Sequence, residues 1–225
     1  MIIAGLQKLT LIDYPGKLAA TVFFTGCNFS CPWCYSSELV LPEKIKQHPK
    51  IPEKELFSFL KERQGLLEGI VICGGEPTIN RDLPKFVKKV KELGYAVKLD
   101  TNGSNPKMLK RLIDNNLIDY IAMDIKYPKQ RYSKPKDIER SIKLLKEGKI
   151  DCEFRSTVVP TVLNKEDILK IAKWIGGPNV KYYLQNFRAE KTLDPKFEKI
   201  RPYPDKYLLN IQKAISPFFE VCKIR

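Results

Sequence analysis

Three cysteines, Cys27, Cys31 and Cys34, occupy the run Cys-Asn-Phe-Ser-Cys-Pro-Trp-Cys at spacings of four and three. A loop this short can bring three thiolates to one metal centre. Thiolates are soft ligands suited to iron–sulfur clusters, zinc or copper(I), so ligand type by itself leaves the metal open. A structural zinc site needs a fourth protein ligand, commonly from a second Cys or His pair. Cys73, Cys152 and Cys222 stand alone and His48 is the single histidine, so no second pair exists. Three grouped thiolates without a fourth point to a [4Fe–4S] cluster with one iron open to another ligand. Such a site does chemistry as well as folding.

A loop of this kind has to be held by regular elements on both sides. Residues 18–25, Leu-Ala-Ala-Thr-Val-Phe-Phe-Thr, form a continuous apolar run suited to a strand buried on both faces, and it leads through Gly26 into the cysteines. A connection over 42–52 follows, then a helix over 53–67 in which Leu56, Phe57, Leu60 and Leu67 recur at helical spacing. The same unit then repeats. Strand 69–73 leads to Gly74-Gly75-Glu76-Pro77-Thr78 and helix 81–93; strand 96–99 leads to Asp100-Thr101-Asn102-Gly103 and helix 106–115. Strand 120–125 precedes helix 136–146, and strands 152–159 and 181–187 flank helix 164–175, with Asn164 and Asp167 placed as a capping box. Residues 2–12 read as a short edge hairpin followed by the turn Asp13-Tyr14-Pro15-Gly16, and the tail as a helix over 205–215 with a strand at 218–221.

Six strands alternating with helices predict an α/β fold of parallel βα units with right-handed crossovers. Eight units would close a full barrel; six are compatible with a partial barrel or with an open doubly wound sheet. With no linker and no low-complexity segment, one domain over 1–225 is expected, with a hairpin at 1–17, a core at 18–190 and a helix and tail at 191–225.

Parallel α/β folds bind ligands at the C-terminal ends of their strands, and the unusual residues fall in those loops. Gly74 and Gly75 read equally as a tight turn or as close backbone approach to a ligand. Glu76 reads as a site acid because of its place at a strand end. Asp100-Thr101-Asn102-Gly103, taken alone, is turn chemistry. Asp124 follows the apolar Ile121-Ala122-Met123, where a carboxylate is costly unless it is paired or binds a cation. Arg155 lies within a strand, with Asp13 as its nearest candidate partner by charge. Cys73 and Cys152 read as buried strand hydrophobes. Trp33 and Tyr35 flank Cys34; they read as packing residues or as residues that shield a cluster and stack on a flat ligand.

Composition narrows the class. Hydrophobic residues make up 43% and charged residues 29%, an ordinary globular balance that argues against disorder. No apolar run approaches the length that spans a bilayer. Met1-Ile2-Ile3-Ala4-Gly5 lacks the basic start of a signal peptide, so a cytoplasmic protein without membrane partners is expected, in a compartment where clustered cysteines hold metals. The formal charge of +14 is read first as a solvated lysine-rich surface. Without a dense basic run interleaved with aromatics, nucleic acid is not the expected partner, and an acidic redox protein suits the charge better.

Cys27-x-x-x-Cys31-x-x-Cys34 after a buried strand, with Gly74-Gly75-Glu76-Pro77 after the next, resembles the radical S-adenosylmethionine (SAM) superfamily. The stretch 5–35, with Ile12-Asp13-Tyr14-Pro15-Gly16 and Phe23-Phe24-Thr25-Gly26-Cys27, is similar to its glycyl-radical-enzyme activating branch. Within that branch it is most similar to activating proteins of anaerobic ribonucleoside-triphosphate reductases. The resemblance runs over essentially the whole chain and is sharp in the first half. It implies a partial (β/α)6 barrel of parallel strands with outer helices. It implies a [4Fe–4S] cluster on Cys27, Cys31 and Cys34, with SAM chelating the fourth iron; Trp33, Cys34 and Tyr35, by their place in the loop, stand with the cofactor-contacting candidates. Gly74, Gly75 and Glu76 would meet the methionyl amino group, and Asp100, Thr101 and Asp124 would hold a monovalent cation beside the SAM carboxylate. Ile125, Lys126 and Tyr127 would line the ribose and methionyl side, and Asp13 and Arg155 would lie near the glycine loop of the partner. The last strand departs from the pattern, with Gln185-Asn186-Phe187 where a histidine is found in related enzymes.

The activity implied is reductive cleavage of SAM to methionine and a 5′-deoxyadenosyl radical, which removes a Cα hydrogen from a glycine of a glycyl radical enzyme such as anaerobic ribonucleotide reductase. The electron would come from a flavodoxin or ferredoxin. Two other readings stand beside it: a radical SAM enzyme acting on a small molecule or tRNA, and a non-catalytic metal-binding module for nucleic acid.

Overall fold

The computed structural model describes residues 1–225. Its eight strands are hydrogen-bonded in chain order. Two compact units divide the chain.

The first unit takes in Met1–Ser30, Ser36–Thr101 and Lys107–Ile121. Its strands are β1 (Ile3–Thr10), β2 (Ala19–Phe24), β3 (Gly69–Gly74) and β4 (Ala96–Thr101), with the first residues of β5 (Tyr120–Asp124). β1 is a single eight-residue strand, antiparallel to β2, instead of the hairpin of its own that loose alternation over 2–12 predicts. The run expected at 18–25 has become its partner, so the edge is made by β1 itself. β2, β3 and β4 are parallel, as the apolar runs require, with Phe24 opposite Gly74 and Ile72 opposite Leu99. Helices α3 (Glu53–Glu62) and α4 (Leu83–Glu92) lie between them, and α5 (Pro106–Asp114) leads from β4 to β5. Each turns an apolar stripe inward: Leu56 and Leu60; Phe86, Val87 and Val90; Leu109 and Leu112. A short helix, α1 (Ser37–Val40), precedes the connection 42–52, which carries another, α2 (Pro42–Gln47), where a plain loop is expected. Pro42 at the first helical position and lysines in the last turn of α2 supply the helix signals. Tyr14, from the turn after β1, packs with Ala19, Val71 and Tyr120 under the strands.

The second unit takes in Cys31–Tyr35, Asn102–Pro106 and Ala122–Arg225. It holds the end of β5, then α6 (Pro135–Lys146), β6 (Asp151–Val158), α7 (Lys165–Ile175), β7 (Gly177–Asn186), α8 (Asp205–Ile215) and β8 (Phe219–Ile224). Asn164 caps α7 as the sequence predicts: its side chain accepts from the Asp167 amide at 2.9 Å and the Asp167 carboxylate accepts from the Asn164 amide. The tail strand runs parallel to β7, with Tyr182 opposite Cys222. Arg225 closes this edge by donating two bonds to the Glu153 carboxylate, which is fully buried.

Candidate active site

In the first unit the chemistry-bearing residues gather at the C-terminal ends of β2, β3 and β4. Gly74 and Gly75 are there because backbone passes against backbone. A Cβ on Gly75 would lie 2.0 Å from the Gly26 carbonyl oxygen, and one on Gly74 would lie 2.2 Å from that of Phe24. Gly74 also sits at φ +118°, a conformation that side chains resist. The Gly75 amide donates to Phe24 O at 2.9 Å and the Glu76 amide to Gly26 O at 2.7 Å. The glycine pair therefore clamps the entrance of the cysteine loop, a task the sequence alone could not separate from ligand approach.

Glu76 is almost fully buried, at 1% exposure. One carboxylate oxygen, Oε1, accepts from the Thr78 amide at 3.0 Å, from the Thr78 hydroxyl, and from the Thr101 hydroxyl at 2.8 Å. Asp100 and Thr101, expected in a loop, are the last residues of β4. The turn begins one residue later, where the Ser104 amide donates to Asn102 Oδ1. As strand residues, Lys98 and Asp100 share a face at period two. The Lys98 ammonium pairs with Asp100 Oδ1, and the lysine is 1% exposed. Lys98 was not singled out from the sequence, although two charged residues alternating inside an apolar strand are a readable signal. Asp13 sits beside β2 and accepts from the Thr21 hydroxyl at 2.8 Å.

In the second unit, Asp124 at the end of β5 accepts from Arg155 Nε at 2.9 Å and from Lys126 Nζ at 2.8 Å. Charge alone nominated Asp13 as the partner of Arg155; the structure gives it Asp124, on the neighbouring strand. Burial by itself would raise the Asp124 carboxyl, but the Arg155 and Lys126 charges override it and hold the group well below the usual carboxylate range. For Lys126 the balance runs the other way: burial disfavours its charge, yet Asp124 keeps it above the usual lysine range. Ile125 extends the strand by donating to Arg155 O at 2.7 Å. The Tyr132 hydroxyl accepts from the Lys126 amide at 2.7 Å and pins the segment 125–127. Burial pushes this phenol up to about 12 against the opposing amide bonds. Nothing in the sequence marked Tyr132 for that task.

The segment Cys31–Tyr35 belongs to the same unit and is packed by aromatics. Trp33 is 4% exposed and lies edge-to-face on Tyr127, with centroids 5.5 Å apart, in a cluster with Val159 and Phe187. Tyr35 stacks on Phe187, accepts at its hydroxyl from the Arg188 amide at 2.7 Å, and has the Arg188 guanidinium over its ring. The Pro32 carbonyl accepts from the Asp194 amide at 2.9 Å. Gln185 and Asn186 end β7, and the Asn186 side-chain amide donates to Tyr203 O at 2.9 Å.

None of the six cysteines is in a disulfide, and all six are half-buried. Cys73 lies in β3 against the Tyr14 cluster and Cys152 lies in β6; both are more open than the core hydrophobes they were expected to resemble. Burial pushes the Cys152 and Cys222 thiols up to about 11, so neither is a ready thiolate. Burial also raises Cys31, but there the Lys126 charge opposes it. Three thiols on one eight-residue loop, none of them in a disulfide, are a donor set that fits an iron–sulfur cluster.

Residues 21–175 match the radical SAM superfamily. Over its whole length the chain is 32% identical to a Methanocaldococcus jannaschii protein named "Putative glycyl-radical enzyme activating enzyme", of which it covers 95%. A shorter match, 27% identical, joins 49% of this chain to 50% of the 7-carboxy-7-deazaguanine synthase of Thermococcus kodakarensis. Among solved structures, Streptococcus suis SuiB bound to S-adenosylmethionine shares the fold over 91% of this chain, with a TM-score of 0.65 at 14% identity, and the chain spans 51% of the SuiB chain. No helix is long and apolar enough to cross a membrane. Membership of the family implies a [4Fe–4S] cluster and SAM. The parallel strands, the intervening helices and the matched residues agree: this chain belongs to the radical SAM superfamily, in the branch of the glycyl-radical-enzyme activating enzymes.

Proposed function

We propose that the protein activates a glycyl radical enzyme, with Cys27, Cys31 and Cys34 holding a [4Fe–4S] cluster to which SAM binds. The observation that carries the reading is the three-thiol loop at the end of β2, clamped by the glycine pair at the end of β3, in a chain that aligns end to end with an activating-enzyme relative. Held by these cysteines, a reduced cluster would supply the single electron for reductive cleavage of SAM to methionine and a 5′-deoxyadenosyl radical, which would take a Cα hydrogen from the partner's glycine to leave 5′-deoxyadenosine and a glycyl radical. The chain's own residues position and shield. Gly74, Gly75 and Glu76 meet the methionyl amino group; the buried Glu76 is held in position by donors from Thr78 and Thr101. Asp100 and Thr101 hold a cationic charge beside the ligand carboxylate from the end of β4, and Ile125, Lys126 and Tyr127 line the ribose side. Trp33, packed on Tyr127, and Tyr35, stacked on Phe187, keep water from the Cys34 side of the loop. Asp13 and Arg155 are the residues assigned, each in its own unit, to the incoming glycine. Anaerobic ribonucleotide reductase is the first partner to test, and the +14 charge suits an acidic flavodoxin or ferredoxin as electron donor.

Incubation of the reduced, cluster-loaded protein with SAM and anaerobic ribonucleotide reductase should give a glycine-centred electron paramagnetic resonance signal, and Cys31→Ala should remove it. Release of 5′-deoxyadenosine with no glycyl signal on any glycyl radical enzyme would favour a small-molecule substrate instead. That reading has the deazaguanine-synthase matches behind it, but the match to the Thermococcus kodakarensis synthase covers half of each chain.

A further inference from the structure

The resemblance implies a soluble monovalent cation held by Asp100 beside the SAM carboxylate, and the first unit does not fit that expectation. Lys98 projects from the same face of β4 as Asp100, is 1% exposed, and places its ammonium on Asp100 Oδ1. Its strand neighbours Val97 and Leu99 are fully buried. A lysine so enclosed cannot be rehydrated, so its charge must be matched by the protein, and Asp100 is the carboxylate that matches it. A sodium or potassium ion on that carboxylate would sit beside a fixed ammonium in a site with little water to screen the two, and their repulsion would expel it. An ammonium tethered to a strand also needs no recruitment from solution and keeps one position.

We infer that Lys98 is a built-in cation: it takes the place of the soluble ion, fixes Asp100 at the strand end, and makes SAM binding independent of sodium and potassium. The inference rests on the SAM-binding reading above. In this role Lys98 is a positioning residue that acts through Asp100.

Calorimetric titration of SAM into the cluster-loaded, oxidised protein tests it, in sodium, potassium and tetramethylammonium chloride at matched ionic strength. The wild-type dissociation constant should agree within about twofold across the three salts. Lys98→Met, similar in length and without charge, should bind SAM about tenfold more weakly in tetramethylammonium and recover with added sodium or potassium. A purely structural loss would not be rescued by a small cation. Wild-type binding that strengthens about fivefold or more with sodium or potassium overturns the inference, as does a variant that binds like wild type in tetramethylammonium. The wild-type comparison decides the matter even where Lys98→Met does not fold. Absence of SAM binding in every salt overturns the SAM reading itself, a result separable from salt-dependent binding.

Discussion

Glu76 in the first unit and Asp124 in the second are both strand-end carboxylates drawn inward, and the chain holds them by opposite means. Glu76 is nearly fully buried and bonded by an amide and two hydroxyls to a single oxygen. The Asp124 side chain keeps 26% exposure and is held by a guanidinium and an ammonium. Neutral donors orient a charge and leave it in place; ionic partners cancel it. The first arrangement suits an acid that meets a cationic ligand group, and the second suits a strut that sets the positions of Lys126 and Arg155.

The largest expected effect breaks the first unit. Gly75→Ala puts a methyl against the Gly26 backbone, which no rotamer change relieves, so a loss of about 4 kcal/mol or more is expected. Iron content after anaerobic reconstitution should fall with it; full iron loading would show that the clamp is dispensable. In the second unit, Asp124→Asn leaves Arg155 and Lys126 without their shared anion. For this partly exposed pair it should lower the unfolding free energy in urea by about 2 kcal/mol. An unchanged midpoint would mean that the two cations are held by other partners.

Acid separates the carboxylates further. The folded Asp124 carboxyl lies below its unfolded value, so its contribution is complete above the unfolded value and is lost as pH falls toward the folded one. Wild-type stability should therefore decline below about pH 4, and Asp124→Asn should flatten that decline. Parallel acid profiles would assign the decline to other groups. The smallest effects belong to Glu76. Glu76→Gln keeps an oxygen for the Thr78 and Thr101 donors and should cost only about 1 kcal/mol, as should Thr101→Val, which removes one donor. SAM titration should then set them apart: Glu76→Gln weakens binding, Thr101→Val barely does. Equal weakening by both would mean that the Glu76 charge is not what the ligand meets.

Much of this was legible beforehand because local physics carries it. Apolar runs announced β2 through β6, the Asn164 and Asp167 pair announced the start of α7, and the cysteine spacing announced the loop. Other features were hidden because they depend on what lies opposite. The partner of β1 is β2, the glycine pair answers to Gly26 and Phe24, and the ionic partner of Arg155 is Asp124 from the neighbouring strand. Asp100 and Thr101 carry turn-forming composition, yet the strand continues through them because Lys98 and Glu76 give their side chains partners.

Periodicity and ligand chemistry act over a few residues, and so the sequence by itself determined the alternation of strands and helices, the three-thiol loop and the kind of metal centre it suits. Which groups stand within bonding distance across strands depends on register and crossover, which no local pattern encodes. Only the tertiary structure therefore decided that Gly74 and Gly75 clamp the chain and that Asp124 meets Arg155 from the neighbouring strand.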